Sequence, residues 1–204
     1  MPVTHNQLVS RTEKARPLSA YVPGLRLTSK IVTPDNQGSY TYTLTERQGA
    51  GYPAGFAPRY TPGEMLKLGV FSGKYVNDCT SEFPREWYTD ALSHGKLSPE
   101  SKDSTLNMFR VQSRKSLTYW REKGWIPLVP NDPDTRGWFM WYCRYWLGRR
   151  IPGLDELQIK RWKSFKRHAG QVAAAHPPSA RSEKLLHRPK QRQALLQWSH
   201  DPWV

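Results

Sequence analysis

The chain has 204 residues, room for one ordinary domain with flanking segments and short for two. Its formal net charge is +14, and residues 136–192 alone hold 14 Lys/Arg against 3 Asp/Glu, a local surplus of +11; a field this concentrated selects for a polyanionic partner. No run of 18 apolar residues offers a membrane-spanning helix, and two cysteines, Cys79 and Cys143, give no disulfide framework.

Residues 1–60 read as a loosely ordered arm, rich in Pro, Gly, Ser and Thr and almost without helical period. The opening MPVTHNQLVSRTEK has no apolar stretch of the kind a secretory leader uses, and the cysteine usage suits a reducing intracellular compartment: cytoplasm, nucleus or nucleoid. One short strand is expected over 39–47, where Tyr40, Tyr42 and Leu44 alternate. Residues 49–60 form a Gly/Pro linker with spaced aromatics.

The ordered part starts at Thr61. Thr61 is placed to cap a helix, with Pro62 at the first helical position and Glu64 three residues on. A second short helix is expected near 82–92, then a polar loop over 95–104. Residues 116–124 read as a helix capped by Ser116 and stopped by Gly124. The aromatic run GWFMWYCRYWLG (137–148) follows, with Asp132 or Asp134 as its cap and Gly148 as its stop. A long helix is expected from about 155 to 174, a polar linker over 176–187, and a last helix over 188–200. The fold class is therefore mainly α: a small single-domain helical bundle with a core over 61–175, a C-terminal helix and tail over 188–204, and an extended N-terminal region.

Three stretches could carry chemistry. In the helix expected over 155–174, Ile159, Trp162, Phe165 and Val172 share one face, while Lys160, Lys163 and Arg167 recur at spacings of three and four on another. Such a stripe can neutralise phosphates, with the salt sensitivity that counterion release brings; its acids, Asp155 and Glu156, sit at the helix N-terminus, where the macrodipole favours them. The aromatic run is apolar nearly all round, which marks a buried helix rather than a base-stacking platform. Its exceptions are Arg144 inside the run, which needs a partner among Asp78, Glu82 and Asp134, and Arg149 and Arg150 at its exit. Arg188, Lys190 and Arg192 open the last helix, where basic charge calls for an anion.

Asp78 and Glu82, four residues apart around Cys79, form the main acidic island. They could act as an acid/base pair opposite Arg144 in an enzyme working on DNA or a nucleotide, or simply cap and bridge the following helix. A nucleophilic Cys79 would need His94 or His168 beside it. No dinucleotide fingerprint, phosphate-binding loop or zinc-type Cys/His cluster is present, so no cofactor or metal is expected. The ESK triplet at 100–102 lies in a polar loop rather than on a nuclease strand.

The segments MLKLGVFSGKYVNDCTSEFPREWY (65–88), GWIPLVPNDPDTRGWFMWYCRYWLGRR (124–150), QIKRWKSFKRH (158–168) and RPKQRQALLQW (188–198) resemble an uncharacterised family of phages, large DNA viruses and some cellular genomes. The resemblance runs from Thr61 onward and implies no molecular function. The expectation is a basic nucleic-acid-binding protein, DNA favoured over RNA, contacting phosphates through Arg149, Arg150, Lys160, Lys163 and Arg167, with Arg188 and Arg192 in support. An enzyme centred on Asp78, Glu82 and Arg144 and an assembly protein with an acidic protein partner are the alternatives.

Overall fold

The computed structural model describes residues 4–30, 39–113, 119, 122–124, 133–134, 136–175 and 187–204. The Ser116 cap, most of the helix expected over 116–124, Asp132 and nearly all of the 176–187 linker lie outside them. The described residues are mainly α. In chain order they form α1 (His5–Glu13), β1 (Arg26–Lys30), β2 (Ser39–Thr43), α2 (Pro62–Leu68), α3 (Arg85–Ser93), α4 (Trp138–Leu147), α5 (Leu154–Phe165), α6 (Arg167–Ala174) and α7 (Pro189–Gln197), with single 3-10 turns at 18–20, 71–73 and 104–106.

The aromatic run is α4, and it is the central helix. Nine of its ten residues are buried and Trp146 is half-buried. A helix with no polar face must be covered on every side. α2 and α5 pack against it, and rings from far along the chain complete the cover: Phe56 meets Trp141, Tyr142 and Tyr145 edge-on, and Trp198 stacks on Trp138. Asp134 does not cap it; Gly137 takes that position, because the Asp134 carboxylate is engaged by two buried arginines.

The end of α4 explains its closing glycine. Gly148 sits at φ +112, and a Cβ there would lie 2.1 Å from the Glu46 carbonyl oxygen. That closeness serves the fold, since the helix's last carbonyls need donors. The amides of Thr45 and Glu46 bond to Gly148 O at 2.9 and 3.1 Å, and Gly49 N bonds to Trp146 O at 2.8 Å.

The N-terminal region therefore departs from the expected loose arm. A capping box between Thr4 and Gln7 starts α1, β1 and β2 pair antiparallel with Leu27 opposite Tyr42, and Leu8, Tyr21, Leu27, Leu44 and Phe56 are buried in the one core. Composition is too blunt to show this: the few apolar residues of 4–60 include those that the one core takes in. The helix start at Thr61 is found as expected, with the reciprocal Thr61–Glu64 bonds formed. The helix expected over 155–174 is two helices. Lys166 N bonds to Lys163 O and Ala169 N to Lys166 O, both i→i−3 bonds, so the α-helical ladder is interrupted at Lys166. No glycine or proline marks the interruption. Phe165, the last residue of α5, lies flat against Trp198, with centroids 4.7 Å apart and planes at 9°.

Candidate nucleic-acid interface

Charge in this molecule divides into a sealed set and an open set. The sealed set lies between the β-hairpin and α4. Arg144 donates through Nε to Glu82 Oε1 at 2.7 Å, through Nη1 to Asp134 Oδ1 at 2.7 Å, and through Nη2 to Ser29 Oγ at 2.9 Å. Arg149 donates to both oxygens of Asp134, at 3.0 and 2.5 Å. The Tyr42 hydroxyl donates to Glu82 Oε1 at 2.9 Å, and Tyr40 and Tyr42, mutually stacked, lie within 6 Å of both guanidinium carbons.

All four charged side chains of this set are at most 2% exposed. Two cations against two carboxylates leave no net charge, which is the condition for burial to be tolerable. Burial pushes the Asp134 carboxyl up, but Arg149 and Arg144 outweigh it and hold the group below the usual carboxylate range. Burial likewise opposes the charge on Arg144, and Glu82 and Asp134 more than restore it.

The trio Asp78, Glu82 and Arg144 does not form one open centre. Glu82 and Arg144 are paired in the sealed set, whereas Asp78, whose side chain is 50% exposed, pairs with Arg136. Cys79 touches Asp78 and Arg136 rather than a histidine base; His94 Nδ1 faces the Asp90 carbonyl and His168 Nδ1 faces Gln171. Burial pushes the Cys79 thiol well up, the opposite of what a nucleophile needs.

Two further residues expected at the phosphate surface are also withdrawn from it. Arg149 is 1% exposed within the sealed set. Arg192 is 0% exposed and ties the C-terminal tail to α7, with bonds to the carbonyls of His187, Pro202 and Val204. A short basic stretch in sequence does not distinguish a guanidinium facing water from one that collects carbonyls inside. Arg150 is half-buried; it bonds to the carbonyls of Tyr145 and Ala50 and lies 3.9 Å from the Tyr145 ring centroid, so it serves as a cap for α4. Arg188 is exposed at the left-handed cap of α7.

The open set is on α5 and α6 and at Lys166 between them. Lys160, Lys163, Lys166 and Arg167 are exposed, and Glu156 is the one exposed acid on those two helices. Asp155 is turned inward, accepting from Trp141 Nε1 and the Ile151 amide, both at 2.7 Å. Depressions flank these helices. One, of about 650 Å³, is bordered by Arg59, Lys163 and Lys166, with Asp201 as the single carboxylate among the described residues that line it. The other, of about 390 Å³, lies between α4, α5, α6 and α7; it is walled by aromatic rings and edged by Arg136, Arg161, His168 and Lys190, with no Asp or Glu among the described residues that line it.

No family model, curated protein or solved structure matches this chain. The surface itself is therefore the guide to function. Among the described residues, no helix is long and apolar enough to cross a membrane, and no group of three or more His, Cys, Asp or Glu could hold a metal ion.

Sequence reasoning missed Arg59, Lys166, Arg136 and Arg161 as edge residues. Lys166 and Arg161 were legible in principle, lying in the same basic stretch as Lys160 and Lys163. Arg59 and Arg136 were not, because they reach their places only through the fold.

Proposed function

We propose that this protein binds nucleic acid, DNA in preference to RNA, through the backbone phosphates. One observation carries the reading: once the buried arginines are matched by their own carboxylates, the exposed cations of α5, α6 and the residue between them (Lys160, Lys163, Lys166 and Arg167) stand in solvent with Glu156 as the only exposed acid on those helices. Unbalanced, exposed and helically spaced cations suit the regular charge of a phosphate backbone. Arg59, beside Lys163 and Lys166, extends the same field.

The test is the salt dependence of binding. A fluorescently labelled oligonucleotide should bind tightly at low salt and release steeply as salt rises. The Lys160→Ala/Lys163→Ala/Arg167→Ala variant should flatten the plot of log affinity against log salt by about 0.9 for each duplex phosphate that it no longer neutralises. Absence of binding at low salt, or an unchanged slope in the variant, overturns the proposal.

A further inference from the structure

The depression of about 650 Å³ is assembled from three parts of the chain: the segment before α2, the end of α5 with Lys166 after it, and the tail beyond α7. Hydrogen bonds stitch these parts together. Arg59 N donates to Ser199 O at 2.7 Å, Tyr60 N to Ser199 Oγ at 2.8 Å, and Trp162 Nε1 to Trp198 O at 2.8 Å. Ser199 sits at φ +52 although it is not a glycine, a conformation that persists where the surroundings over-determine it. Lys163 is held as well: its ammonium donates to the Ala54 carbonyl at 3.1 Å, which orients it without cancelling its charge. Arg59 has the neutral Tyr60 hydroxyl as its neighbour. Around the depression, the three cations Arg59, Lys163 and Lys166 thus meet one carboxylate, Asp201, among the described lining residues.

His200 also lines it, and the phosphate reading leaves this residue unused. It is 7% exposed and stacked on Trp162 at 4.5 Å and 10°, with Nε2 3.1 Å from the Trp162 carbonyl oxygen. A carbonyl only accepts, so Nε2 carries the proton of the neutral ring and Nδ1 takes the second one. The charged and titratable groups around the imidazole are Lys163 and Lys166 at the end of α5, His168 of α6, Arg59 before α2, and Asp201 in the tail. Burial opposes the second proton most, and Lys166 and His168 oppose it further. A phosphate seated on the lining cations reverses that repulsion, because it brings negative charge into the same depression.

We propose that this depression seats a backbone phosphate of the bound nucleic acid on Arg59, Lys163 and Lys166, and that binding draws a proton onto His200, so that affinity rises as pH falls. The assignment rests on the phosphate-binding reading above and adds to it a named seat and a control by pH. A phosphodiester keeps its single charge through the histidine range, so the pH dependence belongs to the protein. Above the bound-state titration neither form of the protein holds the proton, and below the free-state titration both do; the coupling acts between the two.

The experiment titrates the full chain with a labelled duplex lacking terminal phosphates, at low salt, from about pH 7.5 to about 5.5, with tryptophan fluorescence reporting that the chain stays folded. Affinity should rise by up to about tenfold per pH unit, the limit for one linked proton. Calorimetry in two buffers of different ionisation enthalpy should show proton uptake on binding. His200→Gln, whose amide can still donate to the Trp162 carbonyl, should lose both effects, and His168→Gln should keep both. If His200→Gln does not fold, Arg59→Ala/Lys166→Ala, at two exposed positions, takes its place and should lose the uptake. An affinity independent of pH, uptake that persists in His200→Gln or its substitute, or uptake lost in His168→Gln instead overturns the His200 assignment while leaving phosphate binding intact. Failure to bind at low salt at every pH overturns both.

Discussion

Two clusters of basic residues, sixteen or so positions apart in the chain, have opposite fates. Arg144 and Arg149, within and just after α4, are buried and ion-paired to Glu82 and Asp134. Lys160, Lys163 and Arg167, on α5 and α6, face solvent. The residue types are nearly the same; the surroundings are not. An arginine on a helix covered on all sides must bring carboxylates in with it, and its planar fork can use several acceptors at once. A lysine on a one-sided helix keeps its head at the water boundary, as Lys163 does while donating to the Ala54 carbonyl at 3.1 Å. Net charge alone therefore overstates the binding surface: part of the basic surplus is consumed inside.

The largest effect should come from breaking the buried side of this contrast. Arg144→Met leaves Glu82 and Asp134 short of a partner in a sealed site, and should cost about 3–5 kcal/mol in chemical denaturation, a large part of the roughly 5–15 kcal/mol that holds a domain folded. The double variant Arg144→Met/Glu82→Gln removes one of the stranded charges and should regain part of that loss. A single variant as stable as the parent would show that the network does not hold the hairpin on α4.

Acid should erode the interior next, in two stages. His200, stacked on Trp162, is held below its ordinary value of 6.5, chiefly by burial. For such a group the stabilisation is complete above pH 6.5 and is lost as pH falls through the lowered value. Asp134 is also depressed in the folded state, so its contribution is complete above its ordinary 3.8 and is lost further down. Denaturation midpoints followed from pH 7 downward should fall first in the histidine range and again below pH 4. His200→Gln should remove the first fall and leave the second; persistence of the first in that variant would assign it elsewhere.

The smallest effect should come from the open side. Lys160→Ala/Lys163→Ala/Arg167→Ala should change stability by only about 0.5 kcal/mol per site or less, since exposed positions away from special features are nearly neutral, even as it weakens nucleic-acid binding. A large loss of stability in this variant would mean that these cations serve the fold, and the contrast between the two clusters would collapse.

Much of the helical framework was legible from neighbouring residues alone. The Thr61–Glu64 capping box, the stop at Gly148, the burial of the aromatic run and the exposure of Lys160, Lys163 and Arg167 all follow from spacings of three or four residues, and all are present. These signals are local because a helix is local: its period and its caps are written within a turn or two. Other features depended on contacts that no local window contains. Arg144 meets Glu82 across 62 residues and Ser29 across 115; the glycine- and proline-rich stretch before Thr61 bonds to the end of α4 and packs Phe56 into the core; the break at Lys166 sits beside the stack of Phe165 on Trp198. Sequence by itself determined most of the helices from Thr61 onward, though not α1, and where the basic surplus lies. Only the tertiary structure decided which of those charges are consumed inside and which rings wall a cavity, because burial and stacking are properties of neighbours in space.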